Sequence, residues 1–185
     1  MATVRFRQGA GRLCLDFIRT LRYPGTAAET EELGDASALT AWAGQCGPVR
    51  VTASPSVRVE EARSLREAIR RLAHTALITD GPCPGDSREL INRAAAHPTP
   101  VPSLDAAGRL HWHADDPVRA TLALVARDAL DLATSPAAAR LRRCAGPQCG
   151  AIFLDGSRPG TRRWCSMETC GNRAKKAGLR RRAAE

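Results

Sequence analysis

The chain contains few aromatic residues and no long apolar run. Its 185 residues include one Tyr, three Phe and three Trp, and we predict that Trp42 and Trp112 lie in the core. No stretch approaches the roughly 18 apolar residues that a membrane-spanning helix needs. Charged residues interrupt the first twenty positions, so we expect neither a signal peptide nor a membrane span. These absences favour a cytoplasmic protein built from packed, alanine-rich helices.

The familiar catalytic motifs are also missing. The sequence has no Gly-rich phosphate loop, no GxSxG, no HExxH and no convincing pair of catalytic carboxylates. His111 and His113 alternate on a predicted strand and could share a metal ion, but no third ligand lies nearby in the sequence. Solvated hairpin histidines are therefore the favoured interpretation of this pair. We predict that the protein is not an enzyme.

Four of the seven cysteines form two equally spaced pairs towards the C-terminus. The pairs are Cys144 with Cys149 and Cys165 with Cys170, each separated by four residues. A tetrahedral zinc site takes four such thiolates, although a gap of four lies at the edge of the usual range. A disulfide or redox use and an iron–sulfur cluster are the alternatives. The lack of a secretory signal and the surrounding arginines favour one structural Zn²⁺.

Positive charge is concentrated in the same part of the chain. The whole sequence holds 28 basic and 19 acidic residues, for a net charge of +9. Residues 140–185 contain 12 of the basic and three of the acidic residues, which leaves residues 1–139 without net charge. Dense Lys and Arg displace counterions from phosphates and so bind polyanions. The alternatives are a solvated basic tail and a surface that binds acidic lipid. Lipid binding needs Trp, Phe or Leu along one helix face, and after Cys170 only Leu179 qualifies, so a polyanion is favoured.

The residues after the third cysteine predict a basic helix. Ser166 is suited to cap its N-terminus. In a helix, Arg173, Lys176 and Arg180 form one stripe. Asn172 can read an adenine edge and Arg173 a guanine edge through paired hydrogen bonds. The predicted nucleic-acid contacts are Arg162, Arg163, Asn172, Arg173, Lys175, Lys176, Arg180 and Arg181.

Two segments resemble known families. Residues 164–175, WCSMETCGNRAK, resemble the signature of the CGNR zinc finger, and residues 143–150, then 153–155 and Ser157, fit its first half. Residues 11–20 are similar to the opening of the ABATE domain that accompanies this finger. Family members usually carry Asn where this chain has Arg19. The resemblance implies a bacterial transcription regulator whose four cysteines bind zinc and whose finger contacts DNA.

We predict a mainly α-helical chain of two domains. Residues 1–139 form a helical, ABATE-like domain with a small β-hairpin at 101–114, and residues 140–185 form a zinc-stabilised β-hairpin/helix finger. Apolar spacing and capping residues predict helices over 33–45, 56–77 and 87–96, the last capped by Ser87, and a fourth with Asp116 as N-cap and Pro117 first. Residues 13–21 fit either a helix or a strand.

Four further residues carry open alternatives. Asp16 lies inside an apolar run, and we favour a structural role, as a cap or the partner of an arginine, over a place in a pocket. Cys14 is predicted to be buried. Cys46 and Cys83 lie in loops beside Gly and Pro, where a redox-sensing role competes with the simpler view of inert thiols.

Two functional hypotheses follow. The favoured one is a sequence-specific DNA-binding transcriptional regulator, in which the helical domain senses a small-molecule effector or forms a homodimer. Two copies are expected, because one finger buries little surface on DNA. The alternative is an RNA-associated or protein-interaction adaptor with a purely structural zinc module. RNA-stacking modules need exposed aromatics, and Phe153 and Trp164 are better placed as core, so DNA is favoured.

Overall fold

The described part of the chain contains six α-helices and three two-stranded antiparallel hairpins. The computed structural model describes residues 5–51, 56–78, 81 and 83–183, so the outer limits of both predicted domains, 1–4 and 184–185, lie outside it. The helices are α1 (Leu13–Ile18), α2 (Ala36–Cys46), α3 (Val59–Ile78), α4 (Gly85–Ala95), α5 (Pro117–Thr134) and α6 (Asn172–Arg182). The paired strands are β1 (Leu21–Arg22) with β2 (Thr30–Glu31), β3 (Val101–Leu104) with β4 (Leu110–His113), and β5 (Leu141–Arg143) with β6 (Ile152–Leu154). The mainly α-helical class is as predicted. Among the described residues, no helix combines the length and apolarity needed to cross a membrane.

Helix α5 is the central helix of the N-terminal domain. It starts as predicted, with the Asp116 carboxylate accepting the Arg119 N–H at 3.0 Å and Pro117 in the first position. Its buried residues pack against α1, α2, α3 and α4. An apolar stripe along it, formed by Val118, Leu122, Val125, Ala129 and Leu132, is buried. Each buried Val or Leu contributes about 1.5–3 kcal/mol, so α5 organises the core.

Helix α4 starts earlier than predicted. The prediction that Ser87 caps this helix was wrong, because the helix begins at Gly85 and Ser87 is fully buried in its first turn. Pro84 occupies the N-cap position with φ −53°. Its fixed φ is already compatible with helix entry, so the helix begins two residues before the serine.

The ambiguous segment 13–21 forms helix α1 and then enters β1. Cys14, Leu15, Phe17 and Ile18 are buried on α1. Asp16 has the structural role that we favoured, since its carboxylate accepts the backbone N–H groups of Gly9 (3.2 Å) and Ala10 (2.8 Å). It also lies 3.5 Å from the Arg19 guanidinium. The side chain therefore fixes the chain just before α1.

The hairpin β1–β2 was not predicted, and it carries a buried ion pair. Glu31 of β2 accepts hydrogen bonds of 2.6 and 2.5 Å from Arg66 of α3, which is 3% exposed. The Thr20 hydroxyl also accepts from Arg66, at 3.2 Å. Burial alone raises the pKa of Glu31, but the hydrogen bonds from Arg66 and from the Leu33 N–H lower it overall. The pair ties the short hairpin to the longest helix.

The hairpin β3–β4 is present as predicted, but it projects from the domain. Trp42 is fully buried and packs on Phe17 with ring centroids 4.7 Å apart, as expected. Trp112 on β4 is only half-buried, so its assignment to the core was wrong. His113 contacts the Ser103 hydroxyl at 2.8 Å, and His111 lies beside Asp105. All residues of the two strands except Trp112 are exposed.

The finger packs directly on the helical domain. The Leu154 N–H of β6 donates to the Ala10 carbonyl at 2.8 Å. A Cβ atom on Gly11, whose φ is +94°, would lie 3.0 Å from the Leu154 Cβ. The buried side chains of Leu141, Ile152 and Phe153 belong to the same apolar cluster as the residues of α1, α3 and α5. Both domains therefore share one core.

Candidate metal centre and nucleic-acid interface

The four predicted thiols meet at one point in the finger. Cys144 follows β5, Cys149 precedes β6, and Cys170 lies in a π-helical turn, Met167–Gly171, just before α6. The four sulfur atoms lie within 4.8 Å of one another. Cys165 Sγ is 3.6 Å from Cys149 Sγ and 3.7 Å from Cys170 Sγ. A tetrahedral zinc with Zn–S bonds of about 2.3 Å requires sulfur separations of about 3.8 Å, so the spacing fits this ion.

A glycine lets the first cysteine pair wrap around the metal position. The Cys149 N–H donates to the Gly146 carbonyl at 3.0 Å and closes a tight turn. A Cβ atom on Gly146 would lie 3.1 Å from the Cys149 Cβ and 3.6 Å from the Cys144 sulfur. The 3.1 Å contact would require the Cys149 side chain to shift by a few tenths of an ångström, so glycine suits a turn that closes this tightly against the thiols.

The second pair is held by a capped and widened turn. The Ser166 hydroxyl accepts the Thr169 N–H at 3.4 Å, which is the predicted cap. The Ser166 carbonyl accepts the N–H groups of both Cys170 (3.0 Å) and Gly171 (3.1 Å). The second of these bonds spans five residues, so the helix begins with a π turn and not with the α-helical turn expected. Cys170 is buried in this turn, beside the other thiols.

The four closely packed thiols form a site whose electrostatics favour a bound cation. Hydrogen bonds from the thiols of Cys149 and Cys165 lower the pKa of Cys144. Hydrogen bonds with Cys144 and Cys149 raise the pKa of Cys165, and burial is the main cause that raises the pKa of Cys170 to about 11. Thiolates this close repel one another, and a central divalent ion removes that cost. The donor set therefore suits one structural zinc ion, and disulfides of about 2.05 Å do not match the sulfur separations.

Helix α6 presents a polar face to solvent directly after the last cysteine. Asn172, Lys176 and Arg180 follow at intervals of four and are exposed. They share the helix face opposite to the half-buried Ala174 and Gly178. Lys176 and Arg180 have no side-chain partner among the described residues. The predicted residues Lys175 and Arg181 are also exposed on α6.

Arg162 is engaged within the finger. Its guanidinium donates to the carbonyls of Trp164 (2.8 Å) and Cys165, and it lies 4.6 Å from the centre of the Phe153 ring. A weaker bond of 3.4 Å reaches the Gly9 carbonyl of the helical domain. These contacts hold the Arg162 side chain within the finger and give it a structural role.

Two other predicted arginines lie over aromatic rings at the surface. Arg163 lies 5.3 Å from the Trp164 ring, and Arg173 lies 5.9 Å from the ring of Tyr23 in the helical domain. Both arginines are exposed. Since such stacking at exposed sites is worth about 0.5–1 kcal/mol, these side chains remain available to a ligand.

Asp155 orders the loop before the third cysteine, a role that the sequence did not predict although the residue fits the finger motif. It is fully buried, and its carboxylate accepts from the Ser157 N–H (2.9 Å), the Ser157 hydroxyl (2.6 Å) and the Arg162 N–H (2.9 Å). An aspartate two residues before a serine is a common turn former. That local pattern was the signal that could have identified it.

The three cysteines outside the finger lie in environments that raise their pKa values. Cys14 is buried, as predicted, and burial raises its pKa. Burial also raises the pKa of the half-buried Cys46 and Cys83. Redox sensors need lowered pKa values, so these environments disfavour the sensing role.

The architecture defines a helical domain that carries a four-thiol zinc finger. Residues 11–136 match the ABATE family, described as "Putative stress-induced transcription regulator", and residues 140–183 match the family described as "CGNR zinc finger". No curated protein matches the chain. The chain therefore belongs to the ABATE family, a family of transcription regulators, and carries a CGNR zinc finger with one structural zinc. Neither family is described as one of enzymes.

Proposed function

We propose that this protein is a DNA-binding transcription regulator whose helix α6 docks on duplex DNA. The observation that carries the proposal is the exposed face of α6, where Asn172, Lys176 and Arg180 lie in line. The turn before α6 contains Cys170, so zinc fixes the start of the helix. A helix held at one end in this way can present base-reading and phosphate-binding side chains together.

The charge of the finger supports a polyanionic partner. Residues 140–185 carry 12 basic and three acidic residues. One zinc ion with four thiolates contributes two negative charges, so the loaded finger retains about seven positive charges. Binding by such a surface weakens steeply with salt because it releases counterions from phosphate.

Duplex DNA fits the finger better than single-stranded RNA. RNA modules stack bases on exposed aromatic rings. In the described part of the finger, Phe153 is fully buried and Trp164 is half-buried beside Arg163. The RNA alternative therefore lacks the surface that it needs.

Two further features belong to the proposal. Two copies of the chain are required on one operator, because a single finger buries too little surface for a specific complex. A cytoplasmic location agrees with the seven free thiols, since a reducing compartment keeps zinc ligands unoxidised.

The test is a selection from random duplexes at stated salt, with the zinc content of the same protein measured. We expect enrichment of a palindrome. Asn172→Ala should relax preference at one base position by about 1–3 kcal/mol, or roughly five- to 150-fold. Lys176→Ala should lower affinity for all sequences and reduce the salt dependence by about one counterion.

The control is Arg71→Ala, an exposed arginine of α3 outside the finger. It should bind the selected duplex like the wild type. Zinc-loaded protein that enriched no sequence, or whose Asn172→Ala and Lys176→Ala variants bound unchanged, would refute the role given to α6.

A further inference from the structure

A cleft of about 390 Å³ lies between the finger and the helical domain. One wall comes from residues 18–25 and from α3, and the other comes from residues 149–152 and Arg143 of the finger. Sites for small molecules have volumes of roughly 300–1,000 Å³ and often lie between structural units. The cleft therefore has the size and position of a ligand site.

Five arginines reach this cleft from separate parts of the chain. They are Arg7, Arg19, Arg22, Arg70 and Arg143. Arg22 is paired with Glu32 at 3.1 Å and Arg70 with Glu67 at 2.7 Å. Arg7 and Arg143 have no side-chain hydrogen bond or ion pair among the residues that the structure describes. At least two cations thus face the cleft without a counter-charge from the protein.

Arg19 is the most unusual lining residue. It is only 7% exposed, and its hydrogen bond to the Gln8 carbonyl and its ion pair with Asp16 are both 3.5 Å long. A guanidinium has five N–H donors, and burying such donors with weak partners costs free energy. An oxyanion in the cleft would supply the acceptors that this side chain lacks.

The acidic groups of the cleft are mostly engaged. Glu29 accepts the Gly25 N–H at 2.7 Å, and Glu67 holds Arg70 through one carboxylate oxygen, while its other oxygen, Oε1, has no hydrogen-bond partner among the described residues. The thiols of Cys149 and Cys165 border the cleft and belong to the zinc site. The groups left without partners are therefore mainly cationic.

We propose that the cleft binds a small metabolite through its phosphate or carboxylate group. Arg7, Arg19 and Arg143 form the binding set, because guanidinium groups hold oxyanions through paired hydrogen bonds. Arg143 belongs to the finger and the other two to the helical domain, so the ligand bridges both domains. This site does not include Asn172, Lys176 or Arg180 of α6, although Tyr23 in its wall is also contacted by Arg173 of that helix.

The test titrates the zinc-loaded full chain, without DNA, by calorimetry at about 0.15 M NaCl. Inorganic phosphate is the probe in one arm and succinate in the other. We expect saturable binding in at least one arm with a Kd below about 1 mM, and the arm that binds identifies the oxyanion. Arg7→Gln and Arg143→Gln should each raise that Kd about tenfold or more.

The matched control is Arg71→Gln, next to Arg70 on α3 but exposed and outside the cleft. It should leave the Kd unchanged, and circular dichroism and zinc content should show that all three variants are folded. The proposal is overturned if neither probe shows saturable binding up to about 10 mM. It is also overturned if the Arg7→Gln and Arg143→Gln variants bind with the wild-type Kd. Weaker duplex binding by these variants, with neither probe bound, assigns the arginines to DNA phosphates and overturns it too.

Discussion

At the scale of single residues, the four thiols of the finger depend on one another. Their sulfur atoms lie within 4.8 Å, and no other cluster of three or more metal-binding side chains occurs in the described residues. We expect Cys165→Ser to lose zinc, because three thiolates leave the tetrahedron incomplete and metal binding supplies folding free energy in such small units. The zinc-to-protein ratio and the circular dichroism spectrum measure this effect.

Cys83→Ser is the matched control for that substitution. Cys83 is half-buried and lies outside the finger. It should retain one zinc ion per chain and the wild-type spectrum. A Cys165→Ser protein with a full complement of zinc and an unchanged fold would contradict the proposed ligand set.

Arg66→Met tests the buried ion pair between α3 and β2. Arg66 is 3% exposed and bonds Glu31 at 2.6 and 2.5 Å. Removing Arg66 leaves the Glu31 carboxylate without its counter-charge, so we expect the free energy of unfolding to fall by about 3 kcal/mol at neutral pH. Arg58→Met breaks the exposed pair with Glu61 and should cost less than about 1 kcal/mol. Urea unfolding compares them, and equal losses would argue against the buried pair.

The sequence indicated those residues whose role is set locally. The two cysteine pairs and the Ser166 cap are recognisable from spacing alone, because the members of each pair, and Ser166 and Thr169, lie within five residues of each other. The structural roles of Arg162, which was predicted to contact nucleic acid, and of Arg66 could not be predicted, since an arginine in a basic sequence looks the same whether it meets solvent or buried carbonyls. Their roles depend on partners supplied by distant segments.

At the scale of elements, two glycines before α1 can be compared directly. Gly9 and Gly11 have φ values of +95° and +94°. A Cβ atom on Gly9 meets nothing within 4 Å, whereas one on Gly11 lies 3.0 Å from the Leu154 Cβ of β6. We expect Gly9→Ala to lower the free energy of unfolding by about 1 kcal/mol through backbone strain. Gly11→Ala should lower it by about 2 kcal/mol more, because its Cβ also clashes with Leu154. Chemical denaturation measures both, and equal losses would mean that β6 does not pack closely here.

Strong helices were predictable and short or irregular elements were not. Helix α5 combines a cap, a proline and an apolar stripe, and each signal agrees with the others. Strands β1 and β2 have two residues each, too few for an alternating pattern. The π turn before α6 has no signal of its own, because the cap that precedes it also fits an α-helix.

At the scale of the whole molecule, removal of zinc should weaken both domains. Leu141, Ile152 and Phe153 of the finger lie in the same core as α1, α3 and α5. We expect a chelator to lower the Tm of the helical signal by about 5 °C or more, because zinc loss disrupts the finger's part of the shared core. Most helical residues belong to the N-terminal domain, so this signal reports on that domain. Circular dichroism at 222 nm follows this change.

The control for chelation is the same reagent saturated with zinc beforehand, which should leave the Tm unchanged. An N-terminal domain that melted at its original temperature after complete zinc loss would show that the two units fold independently. The sequence could not predict this coupling, because the residues 137–143 that join the domains gave no sign of whether they form a linker.

The bond between the Leu154 N–H and the Ala10 carbonyl has a consequence for the operator. Because α6 is carried by a finger that shares its interior with the rest of the chain, any surface that joins two copies also sets the distance between their two basic helices. Selected duplexes should then show one fixed number of base pairs between half-sites, and variants with one base pair inserted or removed should bind poorly.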